Sequence, residues 1–349
     1  MARAKAAARS AKLRYRDIRE PGIARRRAGK GWVYRDPDGA LIRDETILAR
    51  IRALAIPPAY REVWISPDPA NHLQATGIDA RGRVQYRYHP EWRRVRDEAK
   101  YDHVLVFAKA LPRIRSQVAT DLARRGLPRE RVLATIVRLM ETTLMRIGNQ
   151  AYARSNKSFG LTTLRNRHVA AQKRQLHLSF RGKSGVLHEF DIKNPQLARI
   201  VGQLRELPGQ KLFQYLDEDG ARRSIDSSDV NDYLRDISGE QITAKDFRTW
   251  AGTHLAAIAF AELDRFKTKS ATKKAMLRVV ERVAKKLGNT PAICRKCYIH
   301  PAIFEAYLDG GLAELLTERI NAELEDAPEG LTAEEAAVMA LLARRLSGS

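Results

Sequence analysis

The hydrophobic pattern divides the chain into two regimes. Between residues 31 and about 95 the apolar runs are short and are broken by Pro, Gly and Asp. Segments 63–65, 73–77 and 84–88 read as strands, with turns at 36–39 and 79–82. Asp44 is placed to cap a helix through Ile47, Ile51 and Leu54, which Pro57 and Pro58 stop. From about residue 100 the period becomes helical: Ile114, Val118 and Leu122 recur four apart, and 132–145 carries three-and-four spacing. One strand pair interrupts this regime, 175–180 with 186–190, joined by Arg181-Gly182-Lys183-Ser184-Gly185. Further helices are expected over 195–204, 228–236, 244–266, 271–287, 301–308, 313–325 and 332–346. The fold class is therefore α+β. A small β-rich N-terminal domain (31–97) precedes a larger, mostly α-helical domain (98–349).

Charge changes this picture. The 349 residues hold 63 Lys and Arg against 41 Asp and Glu, a net +22. Such an excess suits a polyanionic partner, above all nucleic acid, with a basic surface kept for solubility as the alternative. Residues 1–30 carry eleven of these cations and two acids. They read as a flexible basic arm that either follows phosphates or is merely solvated. From residue 322 onward six acids face two arginines, so the C-terminus reverses the trend.

Several chemistries find no motif. No stretch of about 18 apolar residues is available to span a membrane. No phosphate-binding Gly-x4-Gly-Lys-Ser/Thr loop indicates a nucleotide cofactor, and no His-Glu-x-x-His or acidic triplet indicates a metal. Cys294 and Cys297 form one C-x-x-C, but a structural zinc needs four ligands and no second pair exists. Two ordinary thiols are the expected reading.

What remains is a set of cations around one tyrosine. Metal-free phosphoryl transfer needs a nucleophile, a proton donor for the leaving oxygen, and positive charge around the phosphate. Arg146-Ile147-Gly148-Asn149 with Gly160-Leu161-Thr162-Thr163-Leu164-Arg165-Asn166-Arg167-His168 resembles the first arginine block of type IB DNA topoisomerases, particularly the small poxvirus-like enzymes of bacteria. Phe180-Arg181-Gly182-Lys183 resembles their lysine hairpin. Lys245-Asp246-Phe247-Arg248-Thr249-Trp250 resembles the second arginine block, and 287–298 the nucleophile segment ending in Tyr298. Each block is weak alone; their shared order and spacing make the resemblance specific.

The resemblance implies a reaction. Tyr298 attacks a backbone phosphorus, giving a 3′-phosphotyrosyl link. Arg146 and Arg248 hold the non-bridging oxygens and Lys183 protonates the departing 5′ oxygen. Rotation of the free end and religation then relax positive and negative supercoils without ATP or metal. Asn289 stands where many relatives carry histidine. It can donate the same hydrogen bond but cannot exchange a proton, so a general-base role there is not expected. The Gly288-Asn289 turn suggests a mobile nucleophile segment.

Expected DNA contacts are Gln74, Tyr86, Tyr88, Tyr152, Lys157, Arg165, Arg167, His168 and Lys245. For the tyrosines the alternative is a half-buried sheet face, and for the single charges ordinary solvation. The implied partner is double-stranded DNA, clamped by a monomer working on the bacterial nucleoid in the cytoplasm, with no cofactor. A tyrosine recombinase shares the chemistry, but it typically has His where Lys245 stands and a helical N-terminal domain. A non-enzymatic DNA-coating protein would explain the charge but not the ordered blocks.

Overall fold

The computed structural model describes residues 8–15, 18–29, 31–80, 82–172, 174–263, 268–318 and 330–347. The chain forms two compact units, Met1–Lys100 and Tyr101–Ser349. The division falls inside one continuous helix, whereas the sequence pattern placed it between 97 and 98.

In the first unit an antiparallel sheet runs in the order β2-β1-β3-β4-β5. Its strands are β1 (Ile23–Ala28), β2 (Gly31–Arg35), β3 (Arg61–Ile65), β4 (Leu73–Ile78) and β5 (Val84–Tyr88). Helix α1 (Glu45–Ala53) starts where the Asp44 carboxylate accepts from the backbone N–H of Thr46 (2.8 Å) and Ile47 (3.1 Å). Its Ile51 packs with Ile23, Val63, Ile65 and Ala75 in a small core.

The basic arm expected over 1–30 is corrected here for its described residues. Arg25, Arg26 and Arg27 lie in β1, between β2 and β3, and Ile23 and Arg25 point inward. Arg25 donates to the carbonyls of Ile56 (3.3 Å), Pro57 (3.1 Å) and Tyr60 (2.7 Å), and its guanidinium lies 4.1 Å from the Trp32 ring centroid. A buried arginine is tolerable when backbone oxygens surround its donors. Further upstream, Ala8 and Leu13 pack with Trp92, and Tyr15 stacks on His72 at 4.1 Å. Residues 1–7, also assigned to the arm, lie outside the described residues.

The second unit is mostly helical. Helix α2 (Pro90–Leu122) begins ten residues before the expected change of period and accommodates Pro112. It is followed by α3 (Arg129–Thr143), α4 (Gln150–Asn156), α5 (Pro195–Glu206), α6 (Ser227–Ser238), α7 (Ala244–Ala261), α8 (Lys269–Leu287), α9 (Pro291–Cys297) and α10 (Pro301–Leu308). A short helix at 312–318 and α11 (Ala333–Ser347) follow. Two small sheets complete the unit: β6 (Val169–Gln172), β7 (Gln175–Arg181) and β8 (Leu187–Ile192), then β9 (Gln214–Leu216) with β10 (Arg222–Ser224). The pattern analysis missed β6, β9 and β10, which are too short to show an alternation.

Helix α7 organises this core. Phe247, Trp250, Ala256, Ala257 and Phe260 are all buried, so it is covered on several sides rather than on one stripe. Thr243 and Asp246 form its capping box, with Thr243 N–H donating to Asp246 Oδ2 at 2.8 Å. The C-terminal helix α11, with two acids and two arginines, packs against it. Arg115 of α2 holds α11 in place, donating to Glu335 at 2.7 and 2.8 Å and to Glu141 of α3 at 2.6 Å. Arg115→Ala leaves Glu335 buried without its cation, costing about 2 kcal/mol. Hydrogen exchange should show amides of 333–347 opening about 30-fold faster, with α3 unchanged; equal protection would refute this anchor.

Candidate active site

Three helix ends meet around two guanidinium groups. Helix α3 stops at Leu144, which adopts a left-handed conformation (φ 56°). Helix α8 stops at Gly288, also left-handed (φ 56°), where glycine carries no Cβ penalty. The last carbonyls of such helices lack partners within the helix and carry partial negative charge. Arg248, projecting from the first turns of α7 and 4% exposed, uses both ends. It donates to the Leu144 carbonyl and, at 2.7 Å, to the Leu287 carbonyl.

Arg146 lies just beyond the end of α3, where the helical spacing over 132–145 runs out. It donates to the Gly288 carbonyl at 3.2 Å and to Asn289 Oδ1. A crossing of two backbone segments fixes it. Leu161 N–H donates to the Arg146 carbonyl (3.0 Å) and Thr162 N–H to Ile147 (2.8 Å). A Cβ on Gly160 would lie 2.6 Å from the Arg146 carbonyl oxygen and from Gly148 Cα. The glycines of the two halves of this motif therefore allow the segments to cross.

The site is short of negative charge. Burial, then repulsion from Arg248, lowers the Arg146 pKa below its ordinary value, while Tyr298 acts in the opposite direction. Two donors, Arg248 Nε and Asn289 Nδ2, are buried with no hydrogen-bond partner among the described residues. Since Asn289 accepts from Arg146 through Oδ1, its amide nitrogen is left to donate elsewhere.

Tyr298 caps the C-terminal end of α9, its N–H donating to the Cys294 carbonyl at 2.9 Å. Its own carbonyl accepts from Thr253 Oγ1 (3.3 Å) on α7, one turn beyond Arg248. The Arg248 guanidinium carbon sits 5.1 Å from the Tyr298 ring centroid. The Gly288-Asn289 turn, from which mobility is expected, takes Arg146 at Gly288 and Asn289, and Arg248 attaches at Leu287 just before it. Burial pushes the Cys294 thiol up to about 11, which makes it a poor nucleophile or redox partner.

Lys183 stands exposed at the tip between β7 and β8. The turn is closed by Gly182 N–H to the Val186 carbonyl (2.8 Å), with Ser184 (φ 64°) and Gly185 (φ 75°) left-handed. Lys183, Arg146, Arg248 and Gly288 line one cavity of about 210 Å³. His188 lines it too. Sequence reasoning missed this residue, although strand alternation puts it on the face of Phe180.

Two family models match the chain. The model for the eukaryotic DNA topoisomerase I catalytic core covers residues 89–323, and that for the bacterial DNA topoisomerase IB N-terminal domain covers 31–79. The chain belongs to the type IB DNA topoisomerases. It is 31% identical over 293 residues to DNA topoisomerase 1B of Acanthamoeba polyphaga mimivirus, covering 82% of this chain and 87% of that protein. The vaccinia virus (strain Copenhagen) DNA topoisomerase 1B is 25% identical over 265 residues, 74% and 79% of the two chains. The rabbit fibroma virus DNA topoisomerase 1 is 23% identical over 244 residues, 67% and 72%.

The expected DNA contacts of this topoisomerase divide by accessibility. Tyr86 is 46% exposed and stacks on the half-buried Tyr88 (6.0 Å, 11°). Lys157, Arg167 and Lys245 are exposed, while Arg165 is half-buried and donates to Gln210 at 3.0 Å. Gln74 is buried, donates to the carbonyls of Pro69 (3.0 Å) and Asn71 (2.7 Å), and accepts from Arg50 (2.9 Å). His168 is likewise internal. Its Nδ1 accepts from Arg165 N–H (3.1 Å) and its ring meets Phe159 edge-on at 4.4 Å. Both have their polar atoms engaged within the protein. The side chain of Tyr152 lies outside the described residues. Among the described residues no group of three His, Cys, Asp or Glu could hold a metal, and no helix is long and apolar enough to cross a membrane.

Gly252→Ala tests the seat of Tyr298. Ala in a helix normally stabilises by about 1 kcal/mol relative to Gly. Here its Cβ would lie 2.5 Å from the Tyr298 carbonyl oxygen. The melting temperature should fall rather than rise; a rise would show that α7 and Tyr298 are not in close contact.

Proposed function

We propose that this topoisomerase cleaves one strand of duplex DNA with Tyr298 as nucleophile and relaxes supercoils of both signs. The observation that carries the reading is the convergence of Arg146 and Arg248 on 287–289, beside the Tyr298 ring and with Lys183 on the same cavity. In the forward step a bond forms between Tyr298 Oη and phosphorus while the bond from phosphorus to the 5′ oxygen breaks. The phenol proton passes to solvent, and Lys183 supplies a proton to the 5′ oxygen.

Arg146, Arg248 Nε and Asn289 Nδ2 donate to the non-bridging oxygens, where charge builds in the transition state. Preorganised donors suit this task because they need not reorient as charge develops. The fixed guanidinium fork also fits two oxygens better than an ammonium does. Asn289 acts as a neutral donor. Because the phosphotyrosyl link retains the energy of the phosphodiester, religation reverses the same step and neither ATP nor a metal is required. Tyr86, Tyr88, Lys157, Arg165, Arg167 and Lys245 supply contacts to the duplex. The protein acts as a monomer on nucleoid DNA.

The test is relaxation of positively and negatively supercoiled plasmid with EDTA and no ATP. Wild type should relax both, and Tyr298→Phe neither, while still binding DNA. Full activity in Tyr298→Phe would overturn the assignment. Arg146→Ala and Arg248→Ala should each slow single-turnover cleavage about 10²- to 10³-fold, and Arg248→Lys should recover little of that loss.

A further inference from the structure

His188 occupies a position that the reaction described above does not explain. It lies on β8 directly across from Phe180 of β7. Its ring stacks on Phe180 (5.4 Å, 23°) and on Phe190 (6.1 Å, 5°), so the imidazole is the middle member of an aromatic row. Two glycines abut its edges. A Cβ on Gly182 would lie 2.5 Å from His188 Cδ2, and one on Gly288 would lie 2.8 Å from His188 Cε1. Gly182 is the residue before Lys183. Gly288 is the residue before Asn289, and its carbonyl accepts from Arg146.

The two sides of the ring differ in how firmly they are held. The turn at 287–289 is fixed independently by Arg146 and Arg248. The root of the hairpin is held by strand pairing, by Phe159 N–H donating to the Arg181 carbonyl (2.8 Å) and by the buried Phe180, but its tip has two left-handed residues and two exposed apolar side chains, Val186 and Leu187. A rigid ring wedged between a fixed turn and an exposed hairpin sets the position of the hairpin. We propose that His188 is a positioning residue: its imidazole is the spacer that registers the root of the Lys183 hairpin against the Gly288-Asn289 turn, so that Lys183 and the phosphate-binding donors address the same phosphodiester. Burial, with Arg146 and Arg248 nearby, lowers the pKa of His188, so it serves this role as a neutral ring.

The inference rests on the reading of Lys183 as proton donor, and the experiment separates the two. A duplex is made with a 5′-bridging sulfur in place of the scissile oxygen, at a site mapped by trapping the covalent adduct. A thiolate departs without needing a proton, so this substrate bypasses Lys183. His188→Ala should cleave the oxygen duplex about 100-fold slower, as expected for a displacement of about 1 Å, with DNA binding unchanged. On the sulfur duplex most of that loss should vanish, as it should for Lys183→Ala.

If Lys183→Ala is rescued and His188→Ala is not, His188 supports the site as a whole and the proposal is overturned. If Lys183→Ala is not rescued, the proton-donor reading itself fails and the inference falls with it. A second measurement uses the close approach. Gly182→Ala should slow cleavage in wild type but add nothing in His188→Ala, where the space is free; additive losses would also overturn the proposal.

Discussion

The site depends on holding two guanidinium groups beside one another in a partly buried place. Like charges so arranged repel, and each loses hydration. The fold offsets this with the carbonyls at the ends of two helices, which already carry partial negative charge and lack partners. Arg248 takes the ends of α3 and α8, and Arg146 takes the residues just past α8. The offset is incomplete, as the lowered pKa of Arg146 and the unpartnered donors of Arg248 and Asn289 indicate. An anion is the natural complement of such a site.

Close backbone approaches build the rest around that pair. Gly148 and Gly160 let the segment bearing Arg146 cross the one after α4. Gly252 lets α7 approach the backbone of Tyr298. Gly182 and Gly288 meet the ring of His188. At each point a side chain would push apart segments that carry or position the site. The glycines of the motifs are thus spacing elements, and only Gly288 and Gly148 also need a positive φ.

Charge is distributed to match. The C-terminal helix α11 carries two acids and two arginines, and its Glu335 is engaged by Arg115, alongside Glu141 of α3. Several basic residues that looked like a solvated arm are structural. Arg25 is the clearest case, because carbonyls around the end of α1 and the loop after it take up its donors. A run of arginines in sequence reads as solvent-facing unless a tertiary partner is known.

Periodicity and turn chemistry determined which long segments are helical, where Asp44 caps, and that a hairpin presents Lys183, because each depends on neighbours within a few residues. The spaced blocks around Arg146, Lys183, Arg248 and Tyr298 likewise carried the family and the candidate chemistry. What the sequence could not decide depends on contacts between distant segments. Gln74 and His168 look like polar residues free to reach DNA until loops fold over them and use their hydrogen bonds. His188 looks like an ordinary strand residue until Gly182 and Gly288 close on its ring. The acceptors that hold Arg248 are main-chain carbonyls of leucines, which every sequence possesses, and only the packing of three helices brings them to one point.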